Sequence, residues 1–355
     1  MASPAYASVR SSNLIDFAGR AIEMAEAIVA GQKPASCVSL HELQVNLYTN
    51  NHRFRGYVAQ RLANQSPQRL GVSQLSVAVL SPDDSPVPLP PVWGESLYHP
   101  YAIDQILKDT PFKVTFFHDC ALWQVFDHEK RFGVQWMRGS DDFPGWESSA
   151  PLRVFLHWCF NALQMRLTHA GTLGMQGQGV LLTGQGGSGK SGTVAGGILH
   201  GLDSVGDDYV LVDQQQSCCF AFPLFKTIKQ DLIGLNRLGL ESQIADTREP
   251  NWQQKFEFTS EELVSRPLVN QLAIRALVLP RILGGEHSRF TKISPQRAML
   301  SLAPTNLSQL PGDRQTGAQF FSSLVRSLPC YELTLSQNPI EIAAAIRDFL
   351  NADCA

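Results

Sequence analysis

Gly179-Val180-Leu181-Leu182-Thr183-Gly184-Gln185-Gly186-Gly187-Ser188-Gly189-Lys190-Ser191 is an apolar run that ends in a complete G-x-x-x-x-G-K-[ST] loop. Small residues from Ser191 to Leu199 follow it and suit a helix, so the strand–loop–helix context of this motif is present. Gly184, Gly186, Gly187 and Gly189, with Ser188, let backbone N–H groups turn inward onto phosphate oxygens. The helix that starts there adds the positive end of its dipole. Lys190 is placed to reach the β- and γ-phosphates, and the Ser191 hydroxyl to ligate Mg²⁺. Gly192 completes the stretch around the phosphates. These residues imply a nucleoside-triphosphate site on an α/β core.

A phosphate loop alone does not separate a kinase from an ATPase, a GTPase or a regulator. Carboxylates are the next requirement, and Gly206-Asp207-Asp208-Tyr209-Val210-Leu211-Val212 supplies two, placed before an apolar run. Adjacent acids near a metal and phosphates can divide the work, one holding Mg²⁺ and one taking a proton from the attacking hydroxyl. The plainer reading is a polar turn ahead of a strand. His169, in Leu167-Thr168-His169-Ala170-Gly171, reads by itself as a structural histidine.

Taken together, His169, the loop ending at Lys190-Ser191 and the Asp207-Asp208 pair resemble the catalytic core of the HPr kinase/phosphorylase family. Trp146-Glu147-Ser148-Ser149-Ala150-Pro151-Leu152-Arg153 matches a W-E-x-x-A-P-L-R element found before the core of its relatives with long N-terminal regions. Val205 to Tyr209 matches their V-G-D-D-Y strand, and Leu224 to Lys229 looks like their L-[YF]-x-[ST]-x-K element. The resemblance implies an HPr kinase/PEP carboxykinase-like core and ATP with Mg²⁺ as cofactors. It implies Asp207 as general base, Asp208 and Ser191 as metal ligands, and His169 beside the phosphates or the base. It further implies that Lys190 and Lys229 neutralise the transferred phosphoryl group. Some of these relatives phosphorylate serine in ribosomally made peptides. Two departures stand out: Gly192 replaces the family's usual Glu, Asp or Thr, and no E-[IVL]-R-G-L-G-[IVL] segment follows Asp208. The resemblance therefore implies a kinase without implying HPr as substrate, reverse phosphorolysis or the family's hexamer, and a homo-oligomer is left open.

The rest of the chain sets the frame. With 355 residues, 44% hydrophobic and 17% charged, it has the composition of an ordinary soluble globular protein, long enough for two domains or one large one. A formal net charge of −3 gives no reason to expect nucleic acid as partner. No apolar run approaches the roughly 20 residues that span a bilayer, and MASPAYASVRSSN does not read as a secretory signal. Seven cysteines without a C-x-x-C pair read as reduced, mostly buried thiols, so a cytoplasmic location is expected. Periodicity predicts a helix over 12–31, then β-like runs at 43–48, 74–80, 114–117, 122–126 and 133–137. The Pro-rich 81–95 stretch excludes a central strand there. A helix is expected over 151–167, strands near 209–212, 272–279 and 331–335, and a closing helix over 339–350. The boundary is expected near 148, giving an N-terminal helix plus β-rich (α+β) domain over 1–147 and a kinase-like nucleotide-binding domain over 148–355.

Sequence reasoning leads to a kinase acting on a hydroxyl acceptor, a serine of a peptide or protein or a small molecule. The competing reading is a nucleotide-binding regulatory module without turnover. A carboxykinase-type decarboxylation would need further metal-binding His, Lys and Asp groups, which the spacing does not provide.

Overall fold

The structure is a computed structural model, and it describes residues 8–64, 73–215, 218–244, 248–312 and 314–352. The chain forms two compact units. One is the chain up to Leu163 with Leu310–Asp313; the other is Gln164–Gln309 and the chain from Arg314 onward.

The first unit is built on a six-stranded mixed sheet, in the order Ser36–Leu40, Leu43–Tyr48, Ser73–Leu80, Phe132–Trp136, Leu122–Asp127, Phe112–Phe117. The inner strands Leu43–Tyr48, Ser73–Leu80 and Phe132–Trp136 run parallel, and the remaining pairs are antiparallel. Helix Leu14–Val29 turns Leu14, Phe17, Ala18, Ala21, Ile22 and Ala25 inward at three- and four-residue spacing. That face packs with Trp123, Val125, Val134 and Trp136 from the sheet. The five strands expected here are present, and the Pro-rich stretch carries only the two-residue strand Val92–Trp93. Helices His52–Arg61 and Pro100–Ile106 were not foreseen. The first has mean hydropathy too polar to show a stripe, burying only Phe54 and Val58. It is held instead by Asn51, whose side chain caps Phe54 N–H.

The W-E-x-x-A-P-L-R element forms a corner of this unit. Glu147 is fully buried and accepts a hydrogen bond from Leu152 N–H at 2.9 Å, where Leu152 adopts φ +62. The Arg153 guanidinium lies 4.6 Å above the Trp146 ring. The expected helix over 151–167 is shorter, Arg153–Ala162, and the chain then enters the strand Arg166–Thr168. That strand pairs with Val210–Val212, so partner hydrogen bonds override a continuous apolar pattern.

The second unit carries an eight-stranded sheet. Its main path runs Gly171–Met175, Gln178–Leu182, Leu272–Gly285, Cys219–Pro223, Val210–Gln214, Arg166–Thr168. Cys330–Ser336 joins Leu272–Gly285 in parallel, and Arg289–Lys292 pairs with it in turn. Leu272–Gly285 is the central strand and is packed on both faces by separate apolar clusters. Opposite Gly179/Val180 it carries one extra residue, Arg275, and the side chains facing one cluster change from Leu272 and Ile274 to Leu277 and Leu279. A bulge of one residue reverses the inward parity of a strand. Helices Lys190–Leu199 and Pro339–Ala352 contribute Val194, Ala195, Ile198, Ile342, Ala343, Ile346 and Leu350 to the cluster on the opposite face.

Cys159, Cys219 and Cys330 are buried, whereas Cys37 and Cys218 are exposed, so the described thiols are less uniformly internal than expected. Among the described residues no helix is long and apolar enough to cross a membrane.

Candidate functional site

The loop follows strand Gln178–Leu182 and ends where helix Lys190–Leu199 begins, as the motif requires. Gly187 and Gly189 take φ values of +82 and +94, a region that side chains other than glycine rarely occupy. Gly189 is also close-packed, since a Cβ there would lie 2.6 Å from Leu335 Cδ1. At Gly184 an added Cβ would lie 2.7 Å from Ser188 Oγ, because the loop folds back over its own start. Gly186, with φ not restricted in this way, meets no such neighbour.

The two acids point to different partners because of the backbone between them. Gly206 adopts φ +146 and Asp208 φ +68, so successive side chains diverge across a tight turn. Asp207 is wholly buried and accepts from Lys190 Nζ at 3.2 Å. Asp208 keeps 24% of its side chain exposed and accepts from Lys229 Nζ at 2.9 Å and His169 Nε2 at 3.1 Å. Burial opposes its ionisation, but Lys229, His169 and Lys190 outweigh that and hold its carboxyl well below the usual range. Burial and Lys190 push the His169 imidazole below its ordinary value, against the pull of Asp208. The ring is thus neutral near pH 7; an ionised Asp208 can only accept, so Nε2 carries the proton and Nδ1 offers a lone pair.

Elements distant in sequence hold these groups. Asn306, on helix Pro295–Ser308, accepts from His169 N–H at 2.6 Å, and the Tyr209 ring lies 5.3 Å from the imidazole with its hydroxyl on Gln309. Lys229 comes from strand Thr227–Gln230, whose next residue, Gln230, donates to the Ser191 carbonyl at 2.8 Å. The half-exposed Trp252 ring, 5.7 Å from Lys229 Nζ, flanks the same lysine, so it is not a core residue. Asn306 and Gln230 have no motif around them, which is why the sequence pointed to neither as part of the site; Trp252 is one of several aromatic residues that the sequence offers as pocket lining, with core packing as the default.

Gly171 is required by contact. A Cβ there would stand 2.5 Å from Val194 Cγ2 and 3.0 Å from Asp207 Oδ1. Gly171→Ala is expected to cost about 1–3 kcal/mol by forcing the strand away from helix and carboxylate. Chemical denaturation of the variant measures this; unchanged stability would refute the contact.

Thr183 Oγ1, Ser188 Oγ, Thr193 Oγ1, Asp207 Oδ2 and His169 Nδ1 are all buried without a hydrogen-bond partner. Each such atom costs about 1–3 kcal/mol if left unpaired, so five flanking one loop fit a polar ligand better than a closed core. Among the described residues no group of three or more His, Cys, Asp and Glu side chains could hold a metal by itself. A Mg²⁺ ion would need phosphate oxygens beside Ser191 and one carboxylate, which is how this ion is commonly held. Asp207 Oδ2 and the Ser191 hydroxyl fit that requirement.

Fold and site together define a mixed α/β protein in which a G-x-x-x-x-G-K-S loop lies beside two carboxylates, two lysines and a histidine. No family model matches the chain, and no curated protein does. Among solved structures, the Hpr(Ser) kinase/phosphatase from Coxiella burnetii is similar, at 13% identity and a TM-score of 0.32, over 54% of this chain and 99% of that one. Likeness at this level transfers no residue roles.

Proposed function

We propose that this protein is an HPr-kinase-like phosphotransferase that moves the γ-phosphoryl group of ATP to a hydroxyl, with Mg²⁺ as cofactor. The observation that carries the reading is the pairing of Asp207 with Lys190 and of Asp208 with Lys229 and His169 beside a complete phosphate loop. A nucleotide-binding module would need the loop and Lys190 but has no use for a second, partly exposed acid held ionised.

The geometry favours a division of labour opposite to the one implied by resemblance. Asp207 is sealed beneath the loop with a free Oδ2, which suits it, with Ser191, to the metal. Asp208 has the exposure an acceptor needs, so it orients the incoming hydroxyl and takes its proton. The metal supplies charge neutralisation for the phosphates when bound. Lys190 and Lys229 stabilise charge on the phosphoryl oxygens as the bond to the leaving diphosphate lengthens. His169 holds Asp208 in place through Nε2–H. Acceptors of this kind are a serine of a peptide or protein, or a small alcohol.

The test uses γ-labelled ATP and Mg²⁺ with host extract split into macromolecular and small-metabolite fractions, and Asp208→Asn protein as control. Label in either fraction that disappears with the variant supports the kinase and identifies its acceptor class. ATP binding with no Asp208-dependent label in either fraction would leave a module without turnover.

A further inference from the structure

Gly192 lies in the first turn of the helix that starts at the loop, and the space beside it is taken. A Cβ at this position would stand 2.5 Å from Nη2 of Arg237, which reaches over from helix Leu232–Leu238. Among the described residues the Arg237 side chain makes no hydrogen bond or ion pair, and its Nε is buried without a partner. Both facts run against ordinary structural roles. Arg237 as a whole is only partly buried, but its Nε is enclosed, and an enclosed donor is normally matched. Cations are also disfavoured at a helix N-terminus, where the dipole is already positive and the first N–H groups have no intrahelical acceptor. The two lysines nearby do not explain it, because each has its own carboxylate, Asp207 and Asp208. Helix Leu232–Leu238 is held firmly enough to aim the side chain. Asp231 caps it, Leu235 and Leu238 are buried in the core beside Ile198, and Gln230 ties the preceding strand to Ser191.

We infer that Arg237 is a phosphate ligand: it grips the part of the nucleotide that is not transferred, the nucleoside diphosphate, and Gly192 is the cleft through which it reaches. This deepens the kinase reading and rests on its nucleotide site. Lys190 serves the β- and γ-phosphates, while the backbone N–H groups of such a loop cradle the α- and β-phosphates. Gly192 is two residues past Lys190, in the first turn of the same helix. Glycine here is thereby accounted for: it gives up a side chain so that a guanidinium from another element can occupy the position.

The experiment is calorimetric titration of the full chain with ADP and with ATP, for wild type, Arg237→Met, Arg237→Lys and Gly192→Ala. Arg237→Met should raise Kd for both nucleotides by a common factor of roughly 10- to 100-fold, as expected for loss of a charge-assisted contact. Arg237→Lys should recover only part of this, since a lysine lacks the planar fork. Gly192→Ala should weaken ADP in the same direction by displacing the guanidinium without removing it. Melting temperatures of the unliganded variants establish folding; Arg237→Met should leave the melting temperature unchanged, as no partner among the described residues is lost. Wild-type and Arg237→Met proteins binding ADP equally would overturn the assignment and leave the nucleotide site standing. Wild-type protein that binds neither ADP nor ATP would overturn both.

Discussion

Asp208→Asn is expected to slow phosphoryl transfer by about 10²- to 10⁴-fold, the range lost when a positioned acid–base group is removed. The amide preserves the shape of the side chain and little of its chemistry. Asp208 receives hydrogen bonds from two donors, Lys229 Nζ and His169 Nε2, one on each oxygen. In the asparagine one of those oxygens becomes an NH₂ group facing a donor, and the charge that balances Lys229 is gone. ADP affinity should hold or improve, because an anion near the phosphates has been taken away. A fall in transfer with retained ADP binding marks a group acting in the reaction itself. Transfer within about threefold of wild type would remove Asp208 from the chemistry. Wild-type pH dependence gives a second readout. The carboxyl is held far below its usual range and the imidazole below 6.5, so the site keeps its charge state as pH falls through 6.5. The rate should show no acid limb at the ordinary histidine value.

The second large effect concerns stability. Burial raises the Glu147 carboxyl from 4.5 to about 7, against the opposing influence of Leu152 N–H, Arg153 and Gln124. Unfolded protein releases this proton near 4.5 and folded protein near 7. The folded state therefore binds the extra proton between those values, and stability falls as pH rises through the window. The loss is complete above about pH 7 and amounts to about 3 kcal/mol. Glu147→Gln cannot ionise and should escape it. The difference in unfolding free energy, variant minus wild type, should be level below pH 4.5, climb through the window and level off above pH 7. Tryptophan fluorescence in urea reports it well, since five of the six tryptophans (93, 123, 136, 146 and 158) lie in the same unit as Glu147. A difference that does not vary with pH would show that Glu147 titrates normally.

Much of the fold could be read from the chain because local periodicity survived folding. Helix Leu14–Val29, strand Leu43–Tyr48 and helix Pro339–Ala352 each show one side buried at the period their sequence displays. Elements were missed where the pattern was absent or misleading. Strand Arg166–Thr168 looks like the end of a helix until Val210–Val212 supplies its partner. The central strand Leu272–Gly285 changes inward parity at a bulge, which no periodicity describes.

By itself the sequence determined the G-x-x-x-x-G-K-S loop, its strand and helix, and the chemical inventory of His169, Lys190, Asp207, Asp208 and Lys229. These follow from residue type and short spacing, which act locally on the backbone. Only the tertiary structure decided which carboxylate is sealed and which is open, because one turn with two left-handed residues splits an apparently equivalent pair. Only it brought Asn306 to His169 and Arg237 to Gly192, from helices far along the chain. Such contacts depend on how buried faces pack, and packing leaves no fixed interval in a sequence.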